Sequence, residues 1–400
     1  MGRLCRIICG GELIRSVYPL YSAVRKIFGR AGSRVVEGSV EAVIVGGGQA
    51  GIATSYFLQQ SQIKSLVLEK DRAFSEWYRR WDSFHMNTAN WMNSLPGSPE
   101  EFAAGASRDA LGMKADALRY FESYLAAVNP LIREHTEATS VRQTQHDTWC
   151  VATPDFTYET DNVVICTGAF RNPKFPLVAA ELQSTTPQLH SRDYRNPEQI
   201  EAGHVLIVGS GNSGVQICED LARCGRFDKL TLSVSGNLTV PFEVLGIPIY
   251  TIMRWFRLMD LKPNSWPGKK LLRADIGGRT MPPSPSQLAE TYGVNLVGKV
   301  SGLNSAGIFC SDGETVPLES LSVIWCTGFQ SRYDFIQPLN RHDTFDMAGQ
   351  PIHERGQVPA APGLYFVGMR YQYTATSQDI YGVGRDAQYV AQHIAATRMN

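Results

Sequence analysis

Several function classes are excluded by what the sequence lacks. Its eight cysteines (Cys5, Cys9, Cys150, Cys166, Cys218, Cys224, Cys310, Cys326) form no Cys-x-x-Cys pair and no His-Cys cluster. That points away from zinc and from a dithiol redox pair, so no metal is expected and the thiols read as reduced and intracellular. Beyond residue 40 no run approaches the roughly 20 apolar residues of a membrane span, so the body reads as cytoplasmic. Charge of one sign is also missing. With 38 Lys+Arg against 38 Asp+Glu, no global field draws the chain onto a nucleic acid, and none is expected as a partner. What is present suffices for folding: 43% hydrophobic residues over 400 positions offset the ordering entropy and suggest roughly two or three structural units.

Residues 1–40 differ from the rest. Seven cations (Arg3, Arg6, Arg15, Arg25, Lys26, Arg30, Arg34) face two acids (Glu12, Glu37), with Ile14, Val17, Tyr21, Val24 and Phe28 at helical spacing. Such a basic amphipathic extension suits a peripheral membrane contact, a targeting segment or an arm packed on the body.

From residue 41 the pattern is strand, glycine turn, helix, strand. Glu41-Ala-Val-Ile-Val45 opens into Gly46-Gly-Gly48-Gln49-Ala50-Gly51. The first glycine permits the turn, Gly48 lets a diphosphate approach the backbone, and Gly51 lets the helix lie close to the strand. The next strand, Leu66-Val-Leu68, ends in Glu69 followed by Lys70, where a carboxylate can hold ribose hydroxyls. A second copy follows: Val205-Leu-Ile-Val208, then Gly209-Ser-Gly211-Asn212-Ser213-Gly214. Its next strand, Leu230–Val234, ends without an acid and without an immediate arginine, which leaves NADH and NADPH both open. Two dinucleotide turns in one α/β chain imply a bound FAD reduced by NAD(P)H, and without a cysteine pair oxygen is the natural electron acceptor.

At this point the residues resemble the class B flavin monooxygenases, the family of flavin-containing N- and S-oxygenases, indole-3-pyruvate monooxygenases and Baeyer-Villiger enzymes. The resemblance spans about residues 41–396. It rests on both glycine turns, Trp77-Tyr-Arg-Arg80-Trp81-Asp82-Ser83, Leu95-Pro-Gly97, Ile165-Cys-Thr-Gly168, His190-Ser-Arg-Asp-Tyr194, Ile324-Trp-Cys-Thr-Gly328-Phe329, Pro362–Gly368 and Gly382-Val-Gly384-Arg-Asp386. Two departures stand out. Ser184 and Thr186 replace the Phe and Gly that open the family fingerprint ending in Tyr194, and Ser235-Gly236-Asn237 stands where the family binds a 2′-phosphate.

The resemblance implies two Rossmann-type dinucleotide-binding domains. An FAD domain at 41–170 and 319–400 would be interrupted by an NAD(P)H domain at 171–318, after the extension 1–40. It implies that NAD(P)H reduces FAD, that oxygen adds at flavin C4a, and that one oxygen atom passes to a small organic substrate. An NAD(P)H oxidase or dehydrogenase, or a flavin binder without turnover, are the alternatives. The residues it brings toward FAD are Gly46, Gly48, Gln49, Ala50, Gly51, Glu69, Lys70, Trp77, Trp81, Asp82, Gly168, Gly328, Gly382 and Gly384. Gly209, Gly211, Asn212, Ser213 and Gly214 would hold the nicotinamide dinucleotide. Arg80 would steady a peroxide or phosphate, Asn87 or Asn90 would donate to oxygen, and His190 is a candidate acid or base or a link between the lobes.

Overall fold

The computed structural model describes residues 40–182, 186–201, 203–236, 240–273 and 282–398. The extension before Val40, Ser184 and Asn237 lie outside the described residues.

Two five-stranded parallel sheets organise the chain. The first has the order Leu364–Phe366, Asn162–Ile165, Ala42–Val45, Ser65–Leu68, Ile132–Arg133. The second has the order Gln188–His190, Leu321–Trp325, His204–Val208, Lys229–Ser233, Asn295–Val297. Their central strands are short apolar runs because parallel sheets bury both faces. Alternation then divides each strand. Ala42 and Ile44 pack with the helices Gln49–Gln60, Lys114–Val128 and Ile380–Arg398. Val43 and Val45 pack with Val141, Trp149, Val151 and Ile336 of a four-stranded sheet on the other face. The second sheet repeats the plan. Val205 and Ile207 meet the helices Asn212–Cys224 and Pro285–Tyr292, while Leu206 and Val208 meet the three-stranded antiparallel sheet 300–316.

The chain leaves the first sheet after Ile165 and returns at Leu364. Leu321–Trp325, assigned to the first unit by a boundary at 318/319, instead pairs in parallel with His204–Val208. The second sheet thus reaches residue 325, because a strand buried at all five positions needs neighbours on both edges and finds them there. The stretch 72–110, which shows no period in sequence, holds the short helix Ser75–Tyr78 and the strand His85–Ala89, paired with Leu111–Met113. The C-terminal helix starts at Ile380, two residues before Gly382.

Candidate functional site

The first turn is built from contacts that glycine alone allows. Gly46 has φ +108°, and a Cβ there would stand 2.6 Å from the Cys166 carbonyl oxygen. A Cβ on Gly47 would meet the Glu69 side chain at 3.0 Å, and one on Gly51 would drive into the Gly46 carbonyl. Gly48 differs: a Cβ there meets none of the described residues within 4 Å. It is the N-cap of the helix Gln49–Gln60, and no side chain caps that end. The protein's own packing therefore accounts for three glycines and leaves the fourth for an occupant that must approach the backbone.

The second turn repeats this. Gly209 (φ +108°) lies under the Cys326 carbonyl oxygen, which a Cβ would meet at 2.5 Å, and Gly214 is pressed on Gly209, yet Gly211, the N-cap of Asn212–Cys224, opens onto free space. Gly168 (φ +62°) and Gly328 (φ +82°), at the ends of the two Cys-Thr-Gly strands, are likewise open. Burial pushes the Cys166 thiol up to about 12 and the Cys326 thiol higher still, so both stay protonated.

Glu69 is 6% exposed. Its Oε2 accepts from Gly47 N–H at 2.7 Å, and its Oε1 accepts from Asp71 N–H at 2.9 Å and Arg171 Nη2 at 3.0 Å. Arg171 also reaches Asp71 at 2.7 Å and Glu76 at 3.6 Å. Burial alone would raise the Asp71 carboxyl, but Arg171 and Arg79 outweigh it and hold the group below the usual carboxylate range. Sequence reasoning misses Arg171; its partners lie about a hundred residues away, and no local pattern announces it. Lys70 turns outward to Glu137 at 2.6 Å, half exposed, and so is not brought to the turn.

Trp77 and Trp81 belong to an aromatic cluster with Phe84 and Phe121. Arg80 sits within it, its guanidinium carbon 4.6 Å from the Phe170 ring centre and 5.3 Å from that of Phe84. The residue keeps some exposed area, but its Nε is closed off and has no hydrogen-bond partner among the described residues. Desolvation lowers its pKa to about 10, opposed by the Glu76 charge. A cation so placed fits an anion. Asp82 is more exposed and ties two loops, accepting from Asn196 at 3.0 Å and Lys114 at 3.2 Å.

The two candidate amides separate. Asn90 donates to the Ser107 carbonyl at 2.8 Å, bracing its hairpin, and its Oδ1 has no partner among the described residues. The Oδ1 of Asn87 accepts from Gln216 Nε2 at 2.9 Å, which leaves its Nδ2 as donor, and its carbonyl accepts from Tyr250 O–H. Gln216, on the helix of the second turn, also donates to the His85 carbonyl at 3.2 Å. His190 is buried between the rings of Phe175 and Phe329, at 5.2 and 5.1 Å. Its Nδ1 accepts from Arg192 N–H at 3.1 Å. Desolvation holds its pKa below the ordinary value, and the ring is neutral at pH 7.

The start of the C-terminal helix meets the first turn where Gln49 Nε2 donates to the Gln378 carbonyl at 2.8 Å, and Ala50 lies under Gly368. Gly382 and Gly384 are explained by protein contacts: a Cβ would strike the Thr376 carbonyl or the Pro96 ring. Asp379, between them and Gln49, is raised to about 7 by burial, against the opposing charge of Arg370. Among the described residues no group of three or more metal-ligating side chains converges, and no helix is long and apolar enough to cross a membrane.

Comparison with known proteins agrees with this geometry. Residues 43–237 match the pyridine nucleotide-disulphide oxidoreductase family. An uncharacterized CzcO-like oxidoreductase of Geobacillus kaustophilus is 31% identical over 89% of this chain and 98% of its own. The probable indole-3-pyruvate monooxygenase YUCCA4 of Arabidopsis thaliana is 26% identical over 88% of this chain and 89% of its own. In fold, the flavin-containing monooxygenase of Stenotrophomonas maltophilia superposes with TM-score 0.71 at 22% identity, over 90% of this chain and all of that one.

Proposed function

The chain belongs to the class B flavin monooxygenase family, and from that premise we propose that it is an FAD-dependent monooxygenase. It uses NAD(P)H and O2 to place one oxygen atom on a small organic substrate, the other leaving as water: NAD(P)H, H⁺, O2 and substrate give NAD(P)⁺, H2O and oxygenated substrate. The carrying observation is the pair of glycine turns in which packing explains every close glycine except Gly48 and Gly211.

The residues fit FAD at the first turn. The uncapped helix end at Gly48 takes the diphosphate, buried Glu69 takes the ribose, and Gln49 and Ala50 border the C-terminal helix. The second turn, 209–214, takes the nicotinamide dinucleotide in the same way. The FAD-binding unit is thus discontinuous, with the NAD(P)H-binding unit inserted. Bound FAD supplies a hydride acceptor and the means of activating O2.

The chain's own groups do the rest. Arg80, unpaired in its aromatic box, holds an anionic part of a cofactor or a reacting oxygen. Asn87, fixed by Gln216, offers its Nδ2 as a donor, and because Gln216 comes from the second turn's helix, that donor is aligned only while the two units stay in register. His190, neutral and ring-packed, holds the end of its strand against Phe329. Asp379 retains a proton up to about neutral pH at the edge of the site. Residues 249–261 cover Asn87–Met92 and exclude water there.

Oxygen uptake by the FAD-loaded chain with NADPH or NADH, across ketones, amines, sulfides and 2-oxo acids, tests the reading. Uptake matched by oxygenated product supports it. Uptake released wholly as hydrogen peroxide with every compound class makes the chain an oxidase.

A further inference from the structure

The segment 243–270 has one face fixed and one bare. On the inside, Tyr250 donates to the Asn87 carbonyl, Met259 is buried with Ala89 and Met92, Thr376 Oγ1 donates to the Met259 carbonyl at 3.2 Å, and Asp260 pairs with Arg385. On the outside stand Leu245 at 97% exposure, Trp266 at 80%, Phe256 at 70% and Trp255 at 63%. Interleaved with them are Arg254, Arg257, Lys262, Lys269 and Lys270, all exposed. No carboxylate among the described residues pairs with any of these five; the one acid between them, Asp260, is taken by Arg385.

Large aromatic side chains alternating with cations that no carboxylate neutralises, three of them lying over rings (Arg254 over Trp91, Lys262 over Tyr373, Lys270 over Trp266), have a specific physical preference. A protein interface depletes lysine from its centre, whereas the headgroup region of a bilayer accepts tryptophan and phenylalanine at its apolar edge and lysine and arginine at its anionic surface. The chain as a whole carries no net charge, so the attraction is local to this face. We propose that residues 243–270 seat the protein on an anionic lipid surface. The docking does not rest on the redox reading. Joined to it, the docking sets the cover of the site at the bilayer interface, where an apolar substrate dissolved in lipid is delivered to it.

Co-sedimentation of the full chain with vesicles tests this. The wild type binds vesicles of phosphatidylcholine mixed with phosphatidylglycerol, binds phosphatidylcholine alone weakly, and is released by salt. At about fivefold per cation, Lys262→Gln with Lys269→Gln and Lys270→Gln weakens binding about a hundredfold. Trp255→Ser with Phe256→Ser abolishes it. Should the aromatic variant fail to fold, the lysine variant, confined to exposed positions, carries the test. Absence of wild-type binding overturns the proposal, as does undiminished binding by the folded variants, which would locate the contact elsewhere. A dimer that Trp255→Ser with Phe256→Ser dissociates, without vesicle binding, also overturns it and makes a second copy the occupant.

Discussion

Valine at position 48 separates what the protein needs from what the cofactor needs. Gly48 has φ −84° and ψ −169°, an extended conformation open to any residue, and a Cβ there meets none of the described residues within 4 Å. Without cofactor, Gly48→Val therefore changes stability by no more than about 0.5 kcal/mol. With cofactor, the branched side chain stands where the diphosphate approaches the helix end. Losing two charge-assisted hydrogen bonds, each worth about 1.5–3 kcal/mol, costs about 3–6 kcal/mol, or roughly a hundredfold to ten-thousandfold in FAD affinity. Gly51→Ala is the converse. Its Cβ is driven into the Gly46 carbonyl, so the helix has to shift, and the cofactor-free protein loses about 1–3 kcal/mol. Urea unfolding of cofactor-free protein and fluorescence titration with FAD measure the two quantities separately. The reasoning is refuted if Gly48→Val unfolds the cofactor-free chain as readily as Gly51→Ala does, or binds FAD like the wild type.

Gly211→Val, at the equivalent position of the second turn, should retain FAD and raise the KM for NAD(P)H at least tenfold in steady-state assays. Arg80→Met should leave cofactor-free stability unchanged or raise it by about 1 kcal/mol, since the cation is desolvated without a hydrogen-bonded partner at Nε, while turnover falls; a large loss of stability in urea would show that the guanidinium is structural. Asp379 has a folded pKa, about 7, above its unfolded value. Its contribution to stability is full below about pH 4 and lost as pH rises toward 7, so Asp379→Asn should gain stability relative to wild type between pH 5 and 8; parallel melting curves across that range would contradict this. Gln216→Ala should lower kcat with little change in FAD affinity, because it frees Asn87 without touching either glycine turn; unchanged kcat removes Asn87 from the mechanism.

Local constraints are legible in the sequence and distant ones are not. The turns 46–51 and 209–214 are readable because Gly46, Gly51, Gly209 and Gly214 answer backbone demands within a few residues or against one strand end, and Gly48 and Gly211 stand at fixed spacing between them. The strands are readable because one buried on both faces is dominated by apolar residues, although Thr231, Ser233 and Ser322 are buried in the second sheet as well. Arg171 on Glu69, Gln216 on Asn87 and Tyr250 on the Asn87 carbonyl join residues 102, 129 and 163 positions apart, and nothing local marks them. Glycine is ambiguous in the same way. Gly48 and Gly382 look alike in sequence, yet one opens onto space and the other is pressed on the Thr376 carbonyl. The strand 321–325 could join either sheet by composition, and pairing with His204–Val208 decides it.

The most direct measurement is anaerobic. The full chain is saturated with FAD, freed of excess by gel filtration, and titrated with NADPH or NADH while flavin absorbance is followed. The account predicts one FAD retained per chain and its bleaching by one equivalent of nicotinamide. A chain that emerges colourless, or a bound flavin that neither nicotinamide bleaches, contradicts it.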